Sequence, residues 1–295
     1  MPVTLSDAVT RAAHTLAASG RAPDEARRDA ALLARWLQGW DAAGWLARSF
    51  ETAPAGFEAR LGALVARRAA GVPLAYLTGT REFYGRPFHV TPAVLIPRPE
   101  TELVIDEALS ELDADGATPG SARPVVVDVG TGSGCLAITL ALERPGLDVM
   151  ATDISPTALA VAQENARTLG VAAHITFVER AFLPPLSTAP QLIVTNPPYV
   201  PETDRDSLPV EVRDHEPGLA LFAGPDGLDA IRHLVPLAAR ALAPGGSLVM
   251  EIGVGQAAAV TRLIELTRDL ALDHIASDLQ SIARVVVATK RHREP

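Results

Sequence analysis

The amino-acid sequence predicts an α/β fold, a doubly wound parallel sheet preceded by a small helical bundle and a β-hairpin. Three observations support this prediction. Residues 1–75 contain only helical patterns of apolar residues. From residue 124 onwards, short apolar strands alternate with helical segments, as in parallel sheets with crossover helices. The last two strands are separated only by 277–282, too few residues for a helical crossover, so the final strand should insert antiparallel.

The composition is that of a folded globular protein. The chain has 295 residues, of which 48% are hydrophobic and 21% are charged. The formal net charge of −9 argues against direct binding of nucleic acid along a broad basic face. A single cysteine excludes a disulfide framework and makes a cysteine-based metal cluster unexpected. With no signal peptide or membrane span recognisable in the sequence, we expect a cytoplasmic, metal-independent monomer.

The N-terminal segment, 1–75, predicts a domain of three helices. Apolar residues at helical spacing begin at Leu5, a second helix starts at Pro23, and a third pattern runs from Phe57 to a stop at Gly71. Two interpretations of this domain remain open. It is either a packing extension of the main domain or a module that docks a partner protein.

A change of period at Arg81 predicts a connecting segment, 76–105, before the main domain, 106–295. Residues 82–90 predict a β-hairpin that turns at Gly85-Arg86, and a helix is expected to start near Thr101. The stretch 113–124 is rich in Asp, Gly, Ala and Pro and is therefore predicted to be a loop.

The main domain is predicted to contain seven strands. They lie near 124–129, 147–152, 174–179, 190–195, 247–252, 271–277 and 283–289. A long, charged, proline-containing segment, 201–227, separates the fourth strand from the fifth. Connections of this length are usually functional or disordered. We expect this one to form a wall of the substrate cleft, with a disordered surface insertion as the alternative.

The first of these strands ends in a glycine-rich turn. Gly130, Gly132 and Gly134 would let the backbone pass close to a ligand before the next helix. The spacing departs from the dinucleotide-binding fingerprint, whose third small residue would fall at Cys135. The second strand ends in Asp153, whose carboxylate can accept both ribose hydroxyls of an adenosine. This pattern predicts a site for either S-adenosylmethionine or a nicotinamide cofactor.

The fourth strand leads directly into an Asn-Pro-Pro-Tyr motif at 196–199. The Asn196 side-chain oxygen and the Pro197 carbonyl can each accept one N–H of an NH2 group, and neither proline donates a competing backbone hydrogen bond. The Tyr199 ring can pack on the flat face of that group. The motif therefore suits methylation of a planar nitrogen and favours S-adenosylmethionine. Asn196 and Pro197 are the candidate catalytic residues, and Pro198 and Tyr199 complete the candidate substrate-binding set.

Several further segments have a specific pattern. The strongest are Gly-Val-Pro-Leu-Ala-Tyr-Leu-Thr-Gly at 71–79, Glu-Phe-Tyr-Gly at 82–85 and Ile-Pro-Arg-Pro-Glu-Thr-Glu at 96–102. Weaker ones lie at 216–217, 224–229, 242–246 and 251–253. Through these motifs the chain resembles the release factor glutamine methyltransferases, the PrmC/HemK family, over nearly its whole length.

The resemblance implies a class I, Rossmann-like methyltransferase sheet. It also implies transfer of a methyl group from S-adenosylmethionine to the side-chain amide nitrogen (N5) of the glutamine in the Gly-Gly-Gln motif of bacterial peptide chain release factors. S-adenosylhomocysteine would be the second product. The implied cofactor-binding residues are Gly130, Thr131, Gly132, Ser133, Gly134, Asp153, Ala181 and Asn196.

Two segments depart from the family pattern. Family members tend to have Ser-Asp-Trp after the third strand, lining the adenine pocket, where this chain has Glu-Arg-Ala at 179–181. Glu179 and Phe182 are the candidates to replace that contact. The final hairpin usually holds a glycine and an acid, whereas this chain has Gln-Ser-Ile-Ala-Arg at 280–284. We therefore expect a different turn there.

Two other functions compete with this reading of the motifs. An N6-adenine methyltransferase of DNA or RNA would use the same motif at 196–199. It would also need a target-recognition region and a basic surface, and this acidic chain shows neither as a distinct block. The third candidate is a binding protein that keeps the cofactor pocket without turnover, and the intact motif argues against it.

Overall fold

The structure is a computed structural model that describes residues 3–114 and 123–292. Most of the loop predicted at 113–124 therefore lies outside the described residues. The chain divides into two compact units, one of Met1–Thr80 with Pro209–His215 and one of Arg81–Leu208 with Glu216–Pro295. In the described part of the chain, no helix has both the length and the apolar composition needed to cross a bilayer.

The first unit is a helical bundle. Its helices are α1 (Leu5–Ala18), α2 (Pro23–Gln38), α3 (Ala42–Arg48), α4 (Phe57–Ala69), α5 (Leu74–Thr78) and, from the separate segment, α9 (Val210–His215). The sequence predicted α1, α2 and α4. It missed α3 and α5 because helices of 7 and 5 residues are too short to show a repeating apolar face. The core contains Leu5, Leu16, Leu33, Phe57 and Leu61, all of them buried.

Ion pairs between two largely buried arginines and the half-buried Glu211 attach α9 to this bundle. The Arg68 guanidinium donates through Nε to Asp29 Oδ2 at 2.7 Å, and its Nη1 lies 2.7 Å from Glu211 Oε1 of α9. Arg21 Nη1 also donates to Glu211 Oε1 at 2.7 Å. Removing one partner of a buried ion pair strongly destabilises a protein because the remaining charge is left uncompensated. These pairs therefore anchor α9 in the helical unit, although it follows the fourth strand of the sheet in sequence.

A β-hairpin joins β1 (Thr80–Phe83) to β2 (Arg86–His89). Its turn residues are Tyr84 and Gly85, with φ of 51° and 73°, so the turn predicted at Gly85-Arg86 is wrong by one residue. A two-residue turn of this kind needs positive φ at both central positions. Tyr84 is held in that conformation because its N–H donates to Glu102 Oε1 at 2.8 Å and its hydroxyl donates to Asp106 Oδ1 at 2.9 Å.

The second unit contains a sheet with the strand order β5-β4-β3-β6-β7-β9-β8. The strands are β3 (Val125–Val129), β4 (Asp148–Asp153), β5 (Ile175–Glu179), β6 (Leu192–Thr195), β7 (Ser247–Glu251), β8 (Leu270–Ser277) and β9 (Ala283–Lys290). Its helices are α6 (Glu102–Ala114), α7 (Cys135–Glu143), α8 (Pro156–Thr168), α10 (Asp229–Ala241) and α11 (Ala257–Leu266). The first five strands pair in parallel, and β9 pairs antiparallel with both neighbours, which confirms the predicted doubly wound sheet.

Both faces of the sheet are covered, so its central strands are apolar throughout. Val194 of β6 belongs to the core cluster that contains residues of α6 and α7. Its neighbour Ile193 belongs to the cluster that contains residues of α10 and α11. Alternate residues of a strand point to opposite faces, and a parallel sheet with helices on both faces therefore has nearly continuous apolar strands.

The turn between β8 and β9 has a serine in the left-handed conformation. Ser281 adopts a φ of 61°, a conformation that favours glycine. Asp278 stabilises the turn, since its Oδ1 accepts from the N–H groups of Gln280 and Ile282 at 2.9 and 3.0 Å. Arg284 Nε donates to Asp278 Oδ2 at 2.8 Å. The acid in this turn is Asp278, and its difference from the family's turn stays a prediction.

The strand order reverses at β3, which lies between β4 and β6. Val129, the last residue of β3, pairs with Thr152 of β4 and with Thr195 of β6. The carboxyl ends of these three strands therefore meet at one edge. In doubly wound sheets the ligand-binding crevice lies at this reversal.

Candidate active site at the carboxyl edge of the sheet

A cavity of about 300 Å³ opens where β3, β4 and β6 end. Most of the residues predicted to bind cofactor or substrate line it: Gly130, Thr131, Gly132, Ser133, Asp153, Ala181, Asn196, Pro197 and Pro198. The other two predicted residues, Gly134 and Tyr199, are not in its wall. The sequence missed several lining residues, among them Pro97, Arg98, Thr101 and Ile154. The sequence features that could have indicated them are the motif at 96–102, which contains three of them, and the position of Ile154 directly after Asp153.

The glycines of the turn have two different structural roles, an open backbone at Gly130 and close helix packing at Gly134. All three have positive φ, at 74°, 54° and 84° for Gly130, Gly132 and Gly134. A Cβ added at Gly130 would meet no atom within 4 Å, so this backbone is open to a ligand. A Cβ added at Gly134 would lie 2.7 Å from Ile138 Cδ1 and 3.2 Å from Ala162 Cβ. Gly134 therefore allows the start of α7 to pack closely, rather than approaching the ligand.

Asp153 fixes the glycine turn in addition to facing the cavity. Its Oδ2 accepts from the Gly132 N–H at 2.9 Å, and its Oδ1 accepts from the Ser155 N–H at 2.9 Å. Each carboxylate oxygen can accept more than one hydrogen bond. The residue can therefore hold the turn and still accept hydroxyl groups of a ribose.

A second carboxyl group, Asp128, lies buried beneath the turn, and the sequence did not single it out. Its Oδ2 accepts from Thr131 Oγ1 at 2.6 Å and from the Ala137 N–H at 3.1 Å. Burial raises the pKa of Asp128 to about 7, against the opposing effect of these two donors. Asp128 therefore connects the turn to the first residues of α7.

Asn196 belongs to a chain of hydrogen bonds. Its Nδ2 donates to Thr101 Oγ1 at 3.0 Å, and Thr101 Oγ1 donates to Glu251 Oε2 at 2.6 Å. The Tyr199 hydroxyl donates to the other oxygen, Glu251 Oε1, at 3.0 Å. Asn196 and Pro197 lie in the cavity wall, whereas Tyr199 joins the hydrogen-bonded group around Glu251. The stacking role of the Tyr199 ring stays a prediction.

The predicted adenine contact has one of its two candidates in the cavity wall. Ala181 and Phe182 line the cavity, and Glu179 does not. The Phe182 ring is stacked on the His233 ring, with the centroids 6.0 Å apart and an interplanar angle of 15°. Ile154 offers another apolar surface there, since 51% of it is exposed. These side chains give the cavity apolar surface for a flat ring.

A larger open cleft of about 740 Å³ lies elsewhere in the second unit, around the ends of α10 and β9. Its basic lining includes Lys290, whose Nζ donates to the carbonyls of Arg240 and Leu242 at 3.0 and 2.6 Å. This lysine therefore caps the C-terminus of α10. Pro244 of the weaker motif at 242–246 lines this cleft, but none of the residues predicted to bind cofactor or substrate does, so we assign the candidate site to the smaller cavity.

Comparisons with known proteins agree with this arrangement. Residues 7–79 match the model of the PrmC N-terminal domain, and residues 109–210 match the methyltransferase small domain. A release factor glutamine methyltransferase of Moorella thermoacetica is 43% identical over 290 residues, which cover 98% of this chain and 99% of the relative. One from Bradyrhizobium diazoefficiens is 40% identical over 96% of this chain and 95% of the relative.

The chain belongs to the release factor glutamine methyltransferase family. Among solved structures, the hMettl16 catalytic domain in complex with a MAT2A 3'UTR hairpin is similar, with a TM-score of 0.56 over 78% of this chain and 83% of that chain. The sequences are 16% identical, so this similarity shows the methyltransferase fold alone.

In this member of the family, two of the motifs that predicted the relationship meet at the cavity. Glu216 has a side chain that is 1% exposed, and its Oε1 accepts from Arg98 Nη2 at 2.6 Å. Its Oε2 accepts from the Ile96 N–H at 3.1 Å. Glu216 thereby joins 96–98 to Pro217, and both segments line the cavity. The predicted wall from 201–227 is present at Pro217, Leu219 and Ala220, as part of this cavity.

Proposed function

We propose that this protein transfers the methyl group of S-adenosylmethionine to the side-chain amide nitrogen of the glutamine in the Gly-Gly-Gln motif of a peptide chain release factor. The observation behind this proposal is the orientation of Asn196. Its Nδ2 is engaged by Thr101, so its Oδ1 is free to accept an N–H in the cavity. The name shared by the relatives supports the substrate.

The cofactor would be held at the ends of β3 and β4. We propose that the backbone of the turn at 130–133 approaches it, that Asp153 accepts from its ribose hydroxyls, and that Ala181 borders its adenine. Gly134 would contribute through packing. Bound S-adenosylmethionine supplies a methyl group activated by a sulfonium. Among the described residues, no group of three or more His, Cys, Asp or Glu could hold a metal ion.

The side of the cavity at 196–197 would orient the nucleophile. A glutamine amide nitrogen is a poor nucleophile because its lone pair is delocalised into the carbonyl. Asn196 Oδ1 and the Pro197 carbonyl would each accept one of its two N–H groups, which fixes the nitrogen and favours positive charge on it. Ideal preorganisation of this kind contributes up to about 7–11 kcal/mol.

The bond changes balance without a strong base in the protein. A nitrogen–carbon bond forms as the carbon–sulfur bond breaks, and the sulfur retains the bonding electron pair. The nitrogen becomes acidic only as the new bond forms, so its extra proton can leave to water. The products are N5-methylglutamine, S-adenosylhomocysteine and one proton.

We further propose that the helical unit docks the release factor. Large apolar side chains on this unit are exposed to solvent, notably Leu46 at 80% and Phe50 at 78%. Contiguous exposed apolar patches mark surfaces that bind another protein, and we propose that Leu46 and Phe50 belong to such a patch. The alternative from the sequence, a packing extension, would leave these side chains without a function.

The test is transfer of a tritiated methyl group to a purified release factor. Label should appear on the factor with an intact Gly-Gly-Gln motif and be absent when its glutamine is replaced by alanine. Duplex DNA, single-stranded DNA and RNA form the parallel arms. Labelled nucleic acid with an unlabelled factor would favour the N6-adenine enzyme, and no label in any arm would favour a binding protein without turnover.

A further inference from the structure

An asparagine amide can present either of two faces to a ligand. A half-turn about its last side-chain bond exchanges Oδ1, an acceptor, with Nδ2, which has two N–H donors. The two groups have nearly the same size, so packing alone discriminates poorly between these orientations. A glutamine NH2 group needs acceptors, so only one orientation of Asn196 suits the proposed reaction.

Thr101 decides the orientation through its single hydroxyl proton. Its side chain is buried, at 2% exposure, and its Oγ1 donates to Glu251 Oε2 at 2.6 Å. With that proton engaged, the Thr101 oxygen can only accept. The 3.0 Å contact with Asn196 must therefore come from Nδ2, which leaves Oδ1 available to a ligand in the cavity that Asn196 lines.

Glu251 keeps the direction of this chain fixed. It is buried, and each of its oxygens accepts from a different hydroxyl, Thr101 and Tyr199. Burial raises the pKa of Glu251, and it also raises that of Tyr199, so the phenol keeps its proton. The nearby Arg284 favours the charged carboxylate, and Glu100 opposes it. Both hydroxyls donate to Glu251, and in its ionised form the carboxylate has no proton with which to reverse that direction.

We propose that Thr101, held by Glu251, is the positioning residue that orients the Asn196 amide for its substrate. This inference rests on the proposed function and deepens it. The site then offers acceptors to the incoming side chain. A glutamine satisfies them with its NH2 group, whereas a glutamate carboxylate would meet them with oxygens and be rejected.

The test compares Thr101→Val with Thr101→Ser in methyl transfer to a release factor. Valine keeps the shape and removes the hydroxyl, so kcat should fall by about 10- to 100-fold, the usual effect of misplacing a reacting group. Serine keeps the hydroxyl and should restore kcat to within a few-fold of the parent. The affinity for S-adenosylmethionine, measured by calorimetry, should stay within a few-fold in both variants.

A double-mutant cycle separates positioning from a structural role. In an Asn196→Ala background, Thr101→Val should cause no further loss of kcat, because contacts that act through one residue are not additive. Thr139→Val is the matched control. Thr139 is buried in α7, its hydroxyl has no hydrogen-bond partner among the described residues, and its loss should leave kcat unchanged.

The outcomes distinguish a failure of this inference from a failure of the proposed function. If the parent methylates the release factor and the Thr101→Val variant has the same kcat, this inference is overturned and the proposed function stays intact. An equal loss of kcat in both backgrounds would also overturn it, since Thr101 would then act independently of Asn196. A parent that methylates no release factor would overturn the proposed function and this inference with it.

Discussion

Each side of the cavity is supported by a buried carboxyl group, and the two groups are used differently. Asp128, under the glycine turn, accepts one hydroxyl and one backbone N–H through Oδ2, and within the described part of the chain its Oδ1 has no hydrogen-bond partner. Glu251, beneath the motif at 196–199, accepts a side-chain hydroxyl on each oxygen. The carboxyl group beneath the proposed cofactor side thus holds main chain as well as a side chain, and the one beneath the proposed nucleophile side holds side chains alone.

This difference should separate the effects of mutations. Two separate carboxyl groups hold the turn, Asp128 through the Thr131 hydroxyl and Asp153 through the Gly132 N–H, so damage there should be graded and should appear in cofactor affinity. The hydrogen-bonded chain on the other side has a direction, and a single missing hydroxyl or amide interrupts it. Damage there should appear in kcat, with cofactor affinity preserved.

The largest effect is expected for Asn196→Ala. Loss of one oriented polar contact in a site of this kind typically costs about 10²–10³ in rate. The variant should stay folded and bind S-adenosylmethionine with an affinity within a few-fold of the parent. Single-turnover methyl transfer and calorimetry measure the two quantities. Turnover within a few-fold of the parent would show that the amide oxygen does not orient the substrate.

Asp153→Ala tests the cofactor side. Charge-assisted hydrogen bonds contribute about 1.5–3 kcal/mol each. The dissociation constant for S-adenosylmethionine should therefore rise by at least about 10-fold. At saturating cofactor, kcat should change less than in Asn196→Ala. Asp148→Ala is the matched control, because this exposed residue begins the strand that Asp153 ends, and its loss should not change affinity. Equal affinities in parent and Asp153→Ala would remove this residue from the site.

The helical unit should matter for the whole release factor and not for a short peptide. Replacing both Leu46 and Phe50 with serine should lower kcat/KM on the intact factor by about 10-fold, the effect of losing a moderate interface contact. Activity on a Gly-Gly-Gln peptide should be unchanged. Leu266→Ser, at a side chain of α11 that is 74% exposed, is the control and should affect neither substrate. Equal losses on factor and peptide would refute docking through these side chains.

Asp128→Asn should change stability rather than activity, and it is the mildest of these variants. Burial raises the pKa of Asp128 to about 7, compared with about 3.9 in an unfolded chain. Between these values the folded state retains a proton that the unfolded state loses. The free energy of unfolding should therefore fall as pH rises through this window, by at most about 1.4 kcal/mol per pH unit for this group.

The asparagine variant cannot titrate, so this contribution should disappear. Its oxygen can still accept from Thr131 and from the Ala137 N–H, which preserves the contact with the turn. Urea unfolding at pH 5 and pH 8 gives the comparison. The parent should lose more stability than the variant between these pH values, and parallel behaviour would mean that Asp128 is ionised throughout.

The sequence predicted those features of the fold that depend on residues close together in the chain. Strand periodicity gave the seven strands, and the short link at 277–282 gave the antiparallel insertion of β9. The hairpin turn was misplaced by one residue because Tyr84 is held by side chains of α6, 18 and 22 residues away. Local turn preferences contain no information about such contacts.

The same distinction applies to the site. The glycine turn, Asp153 and the motif at 196–199 are recognisable because each has a local pattern. The pairing of Thr101 with Glu251 was not predicted, because 150 residues separate them in sequence and their roles depend on their hydrogen bond. The placement of α9 was equally hidden, since it depends on Arg21 and Glu211, which are 190 residues apart.

The divided composition of the helical unit has a consequence for synthesis on the ribosome. Met1–Thr80 emerges first, but the Pro209–His215 segment of the same unit is translated more than a hundred residues later. Until then the nascent bundle lacks Glu211, the partner of both Arg21 and Arg68. Domains usually fold as units and N-terminal ones first. Of the two units, the one that begins earlier in the chain therefore reaches its final ion pairing only after β3 to β6 of the other unit have been made.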